Sequence, residues 1–314
     1  MIGILGGMGT QAGLDFCSKL AKLNRGKADQ KYPLFVLYNK ANIPDRKQNL
    51  KKYNKVLKSL IHGCKFLQKN NCKFISIPCN TAHYWYKDLK KKINIPILNM
   101  LETVYLSAKK NCKKNSKIGL LATDTTIKTG IYNYYFDKNY KLVTPNRKLQ
   151  IKSVNKSIRL VKMGKTKEAE KAIKPAVNYL IKMDCKKIIL GCTELPIAIF
   201  AFKSFKKAKL SKTFMDPNLI LAEASMQKYK FFDTNLDILD AAFEYLINPE
   251  QKKDKGQYFT PRHVIKMCVK MLDPNEKDKV LDPACGAGGF LIHTLNHVDE
   301  NIICLLYTSD AADE

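Results

Sequence analysis

The sequence predicts an α/β protein built from two similar half-domains with mostly parallel sheets and the functional site between them. A smaller, mostly helical part follows at the C-terminus. Three observations lead to this reading. Strand-like and helix-like apolar periods alternate from residue 2 to about residue 230, the pattern of parallel strands joined by crossover helices. Two segments repeat one motif around a cysteine. Composition then changes near residue 230.

The repeat sets the organisation. Residues 72–79 read CKFISIPC and residues 185–192 read CKKIILGC, an offset of 113. The opening MIGILGGMGT matches KIGLLATDTT at 117–126, an offset of 116. Two unrelated segments with nearly equal spacing argue for homologous halves, 1–115 and 116–230, with the last element of the first half free to cross to the other. Each motif reads as a short buried strand that delivers a thiol, Cys79 or Cys192, at its C-terminal end, where open α/β sheets bind ligands. The competing reading is two similar core strands with no shared site.

The elements follow in order. Strands are expected at Ile2–Leu5, Leu34–Tyr38, Phe74–Ile77, Pro96–Leu98, Ile118–Leu121, Lys187–Leu190 and Thr213–Met215. Helices are expected at 11–24, 50–69, 83–92, 101–112, 145–163, 166–182 and 217–229. Pro78, Pro196 and Pro217 fall at strand exits or helix starts, where proline is tolerated.

Bulk properties exclude several classes. The apolar content of 45% is ordinary for a globular chain. The longest uncharged apolar run, near Leu195–Phe202, is too short to span a bilayer. No signal peptide is legible, and the ten cysteines show no metal-ligand spacing, so reduced thiols and a cytoplasmic location are expected, with no metal and no membrane. The net charge of +27 is uneven: residues 1–232 hold 47 Lys and Arg against 13 Asp and Glu, and residues 233–314 hold 8 against 15. Lysines are scattered rather than gathered into a stripe, which reads as a solvated surface and not as a nucleic-acid interface.

A thiol from each half suits removal of a proton from one face of a carbon and its return on the other. A thiolate serves as base and the opposing thiol as acid. Asn80, Thr81 and Thr193 follow the cysteines and could hold a carboxylate. The turn Gly6-Gly7-Met8-Gly9-Thr10 lacks the dinucleotide spacing and suits a small anion. Arg46 could pair bidentately with a carboxylate, or with its neighbour Asp45. His83 reads equally as a helix-start residue or a relay. Thr123 and Thr125 read equally as ligand contacts or helix caps.

The motifs ILGGMGT, IPDR (43–46), IPCNTAH (77–83), LLATDTT (120–126), LGCTELP (190–196) and MDPNLILAEA (215–224) together resemble the aspartate/glutamate racemase family over residues 1 to about 230. The resemblance implies a cofactor-independent amino-acid racemase, acting on aspartate or glutamate, with Cys79 and Cys192 as catalytic bases and a homodimeric assembly. It implies that Asn80, Thr81, Thr123 and Thr193 bind substrate, with Met8, Gly9 and Thr10 lining the site and Arg46 on a side-chain carboxylate; Thr125 and Glu194, beside these motifs, are further candidate substrate contacts. Lys162, in LVKMGK, best matches a lysine that contributes in some members. Thr10 stands where many relatives carry proline, and the opening favours the aspartate-type branch. A related two-cysteine isomerase acting on maleate or a hydantoin is the neighbouring alternative.

Residues 233–303 carry GQYFTP and, after an expected strand Lys279–Leu281, the turn DPACGAGG. Glycines there permit close backbone approach to S-adenosylmethionine, with Asp282, Gly286 and Gly288 as vestigial contacts. The segment resembles a truncated Rossmann-like adenine-N6 DNA methyltransferase of the type I modification subunit, without its catalytic Asn-Pro-Pro-aromatic motif. The resemblance implies S-adenosylmethionine only for a complete domain, and a DNA-modification role is the rival function. An acidic helix is expected at Asp237–Leu246. His293 and His297, four apart, lack the glutamate of a zinc protease. The tail 304–314 resembles translated sequencing adapter, and the join reads as a chimera in which 233–314 add nothing to racemisation.

Overall fold

The computed structural model describes residues 1–23, 32–46, 53–200, 212–233, 260, 262–275, 278–282 and 289–301. The chain divides into two compact units, Met1–Phe231 and Phe232–Glu314.

The first unit holds two lobes. The first contains β1 (Ile2–Gly6), α1 (Thr10–Leu23), β2 (Phe35–Asn39), α2 (Tyr53–Lys69), β3 (Phe74–Ser76), a 3₁₀ turn (Asn80–Trp85), α3 (Tyr86–Lys90), β4 (Ile97–Leu98) and α4 (Met100–Asn111). The second contains β5 (Lys117–Ala122), α5 (Asp124–Lys128), α6 (Asn133–Phe136), β6 (Lys141–Val143), α7 (Arg147–Leu149), a π-helical turn (Gln150–Asn155), α8 (Lys156–Lys162), α9 (Thr166–Lys182), β7 (Lys187–Gly191), α10 (Leu195–Phe200), β8 (Phe214–Met215) and α11 (Pro217–Asp233).

The sheets run β2-β1-β3-β4 and β6-β5-β7-β8, every pair parallel. Their central registers are equivalent. Ile2 opposes Phe74 in one sheet, and Ile118 opposes Lys187 in the other. These are the positions that the two sequence offsets relate. The central strands are near-continuous apolar runs because helices cover both faces. On α2 the buried residues Val56, Leu60, Cys64 and Leu67 recur at helical spacing, as do Ala169, Ile173, Val177 and Leu180 on α9.

The last helix of each lobe begins with the same device. Asn99 Oδ1 accepts from the backbone N–H groups of Leu101 and Glu102 at the start of α4. Asp216 Oδ1 accepts from those of Asn218 and Leu219 at the start of α11. Both helices then enter one core. Met100, Leu101, Val104 and Ala108 of α4 cluster with Ile2, Ile4, Phe16, Ile118, Leu120, Ile189 and with Leu221, Ala222 and Met226 of α11. Separate cores back the outer side of each lobe, one around Leu5, Leu60, Ile75 and Trp85, the other around Leu121, Ile173, Ile188 and Leu195.

Polar contacts cross between the lobes as well. Ser76 Oγ and Ser225 Oγ lie 2.8 Å apart. Asn218 Nδ2 donates to Ala12 O at 3.1 Å and to Asp15 Oδ2 at 3.0 Å. Lys19 pairs with Asp15 and, at 2.7 Å, with the buried Asp216. Burial pushes the Asp216 carboxyl above the usual range, and Lys19 works against that rise.

Three local expectations are corrected. β6 was not expected: it is a three-residue edge strand, too short for an alternation to show. The helix expected at 145–163 is interrupted by the π-helical turn, where Gln150 Nε2 donates to Ala122 O at 2.9 Å and Ser153 Oγ donates to Ala172 O. The helix expected at 83–92 begins earlier, as the 3₁₀ turn at Asn80.

In the second unit the described residues form two helices, α12 (Arg262–Leu272) and α13 (Gly289–Asn301), with Ile265, Val269 and His293 buried. A Cβ on Gly289 would lie 3.0 Å from Ile265 Cδ1, which marks the close approach of the pair. His297 Nε2 and Asp273 Oδ1 are 2.7 Å apart. The strand expected at Lys279–Leu281 is irregular, since no described strand of this unit is available to pair with it. The half-buried Asp282 ends that stretch. Gly286, Gly288, the helix expected at Asp237–Leu246 and residues 304–314 lie outside the described residues. Among the described residues no helix is long and apolar enough to cross a membrane.

Lys19→Met leaves the Asp216 carboxylate buried without its cation. The expected loss is about 3 kcal/mol of unfolding free energy, read from urea titration of the whole chain.

Candidate functional site

Each cysteine leaves its strand through the same turn. Cys79 N–H donates back to Ile77 O at 2.7 Å, and Cys79 O accepts from Ala82 N–H at 3.2 Å. Cys192 N–H donates back to Leu190 O at 2.8 Å, and Cys192 O accepts from Leu195 N–H at 2.9 Å. The backbone at Cys79 is extended, at φ −155° and ψ 109°, before the 3₁₀ turn closes.

Both thiols line one cleft. Met8, Asp45, Arg46, Cys79, Asn80 and Thr81 face it from the first lobe; Thr123, Lys162, Gly191, Cys192, Thr193 and Glu194 face it from the second. Three expected residues do not line it. Thr10 begins α1 and accepts from Asn39 Nδ2 at 3.3 Å. Thr125 is buried in α5. Gly9 lies beside the cleft at φ +136°, where a Cβ would sit 2.8 Å from Glu194 Oε1. No side chain fits there without displacing the carboxylate.

Thr123 combines both of its expected roles. Its side chain caps α5 by accepting from Thr126 N–H at 3.2 Å, and it faces the cleft. Thr126 Oγ1 in turn lies 2.8 Å from Thr81 Oγ1 across the lobes. Thr126 was missed as a site residue, although it closes the repeated opening motif at the position of Thr10. Tyr132 was also missed, and no sequence signal marked it. It is fully buried and donates to Asn80 Oδ1 at 2.5 Å.

His83 is a structural tie. Its Nε2 accepts from Met100 N–H at 3.0 Å, so Nδ1 carries the proton and donates to Cys79 O at 3.0 Å. Burial lowers its pKa, which keeps the ring neutral. Arg46 donates to Met8 O at 2.7 Å, which pins the glycine turn to the cleft wall.

The electrostatics centre on Cys192. Its thiol donates to Glu194 Oε2 at 2.9 Å, and Glu194 Oε1 lies 3.6 Å from Lys162 Nζ. Burial first, and then the Glu194 charge and hydrogen bond, raise the Cys192 pKa well above the usual thiol value; Lys162 opposes the rise. Cys192 is therefore held as the protonated thiol at neutral pH. Among the described residues no group of three His, Cys, Asp or Glu is arranged to hold a metal ion.

Residues 5–224 match the family model described as Asp/Glu/hydantoin racemase. The chain belongs to this family. It is an isomerase of the racemase class. It is 28% identical to the broad specificity amino-acid racemase RacX of Bacillus subtilis, over 62% of this chain and 86% of that protein. It is 31% identical to the aspartate racemase of Picrophilus torridus, covering 73% of this chain and 93% of that one, with a TM-score of 0.63. Residues 234–312 match a second model, N-6 DNA methylase. There the chain is 30% identical to the MjaVII type I restriction methylase subunit of Methanocaldococcus jannaschii, over 27% of this chain and only 16% of that protein.

Glu194→Gln removes the charge that holds the proton on Cys192. The folded-state pKa of the thiol should fall, so alkylation of Cys192 by iodoacetamide should set in at lower pH than in the native protein. Mass-spectrometric labelling rates across a pH series check this.

Proposed function

We propose that the protein interconverts L- and D-aspartate by a two-thiol, cofactor-independent mechanism. The observation that carries this reading is that Cys79 and Cys192, delivered by equivalent turns from the two lobes, line one cleft. Cys79, as thiolate, takes the α-proton from one face of the substrate. Cys192 gives its proton to the opposite face and becomes the thiolate. The reverse reaction starts from that second form. The carbanion between the two steps needs hydrogen-bond donors at the α-carboxylate. Asn80 Nδ2 is suited to this, since it is buried at the cleft and donates to no protein atom. Thr81, Thr123 and Thr193 supply hydroxyls to the same wall.

The distal carboxylate of aspartate is assigned to Arg46 and Lys162, the two cations that line the cleft among the described residues. Similarity to the Picrophilus aspartate racemase supports aspartate, and the similarity to RacX makes a wider amino-acid range the second reading. All of these groups lie between residues 8 and 194, so the methylase-like segment is left without a part in this chemistry. The eight described cysteines are all free thiols, in keeping with a reducing cytoplasm.

The test is solvent deuterium incorporation at Cα on a panel of L- and D-amino acids. Cys79→Ser and Cys192→Ser should each abolish racemisation while leaving at most slow, one-sided exchange. Near-normal racemisation by either variant would end the two-thiol reading. Arg46→Ala should lower kcat/KM for aspartate by the equivalent of about 2–5 kcal/mol and leave alanine little changed. Equal losses on both would assign Arg46 to holding the Met8 turn instead.

A further inference from the structure

We propose that Tyr132 is a positioning residue that fixes the side-chain amide of Asn80, so that its Nδ2 group, and not its oxygen, is presented to the substrate carboxylate. The inference rests on the racemase reading and extends it across the lobe boundary, since the site in one lobe is then set by a phenol of the other.

An asparagine amide can face either way, and its two ends do opposite things to an anion: nitrogen attracts, oxygen repels. Nothing on Asn80's own lobe is seen to choose between them. Tyr132 does. It directly precedes α6 and is fully buried in the core shared by the lobes, and its hydroxyl donates to Asn80 Oδ1 at 2.5 Å. Among the described residues that is the sole hydrogen bond of the phenol. Turning the amide round would leave the phenol proton buried without an acceptor, which costs the desolvation of that donor. The oxygen therefore stays toward Tyr132, and Nδ2 stays on the side where the protein offers it no acceptor. Burial first, and then the Asp216 charge and that of Cys192 whenever it is the thiolate, raise the Tyr132 pKa, so the phenol remains a donor throughout the working range. The ring is held by Phe136, with centroids 6.0 Å apart.

The experiment measures steady-state kinetics for both enantiomers of aspartate, together with urea unfolding, on Tyr132→Phe, Asn80→Ala, the double variant and Asn80→Asp. Tyr132→Phe should lower kcat/KM for both enantiomers about tenfold, through kcat as well as KM because Asn80 Nδ2 serves the carbanion as well as the bound substrate, the scale of one charge-assisted hydrogen bond that is no longer oriented. The double variant should be no worse than Asn80→Ala, because Tyr132 acts only through Asn80. Asn80→Asp keeps the bond to Tyr132 but turns a carboxylate oxygen to the substrate, and should raise KM beyond Asn80→Ala. An unchanged kcat/KM in Tyr132→Phe, additive losses in the double variant, or an Asn80→Asp enzyme that binds as well as the native one would each overturn the assignment. Should Tyr132→Phe fail to fold, the comparison of Asn80→Asp with Asn80→Ala decides it alone. Absence of Cα exchange in the native protein would overturn the racemase reading itself, and this inference with it.

Discussion

The apolar core shared by α4 and α11 is the constraint on which the rest depends. Each lobe has a four-stranded parallel sheet and an outer core of its own, but neither covers its inner face alone. Ile2, Ile4 and Phe16 of one lobe and Ile118, Leu120 and Ile189 of the other meet in one cluster with the two helices. A cleft at the carboxyl edges of the sheets therefore has walls whose spacing is set by packing, not by a linker. Interiors of this density transmit small shifts instead of absorbing them, so a change in the shared core reaches both thiols together.

Polar contacts laid over that core decide which way the walls face. The Ser76–Ser225, Asn218–Asp15 and Lys19–Asp216 contacts anchor α11 to the first lobe. Thr81–Thr126 and Asn80–Tyr132 do the same at the cleft itself. None joins neighbours in sequence. A slip of one lobe along the packed core would break these pairings while the groups stay buried, which makes the observed arrangement specific as well as stable.

Much of this was legible in the sequence because the chain repeats itself. The offsets between CKFISIPC and CKKIILGC, and between the two glycine-containing openings, anticipated the equivalent sheet registers. The family motifs anticipated most of the cleft. What stayed hidden has physical causes. β6 is three residues long at a sheet edge. The π-helical turn answers tertiary hydrogen bonds from Ser153 and Gln150 that no local pattern encodes. Tyr132 sits in an unremarkable aromatic run, and only the fold brings it to Asn80. Thr125 and Thr10 were expected at the cleft from their neighbours in motif, but helical geometry turns Thr126 toward Thr81 and leaves Thr125 in the core.

The two halves are equivalent in backbone but not in charge. Applying the cysteine offset, Glu194 corresponds to Thr81, so one thiol is bonded to a carboxylate where the other half carries a threonine at the equivalent position. A reaction between mirror images has an equilibrium constant of one in an achiral solvent, and no catalyst alters that. The ratio of kcat/KM in the two directions is then fixed at unity whatever Glu194 does. Its asymmetry can appear only in how much of the enzyme waits in each protonation form, and so in the separate saturating rates for the two hands.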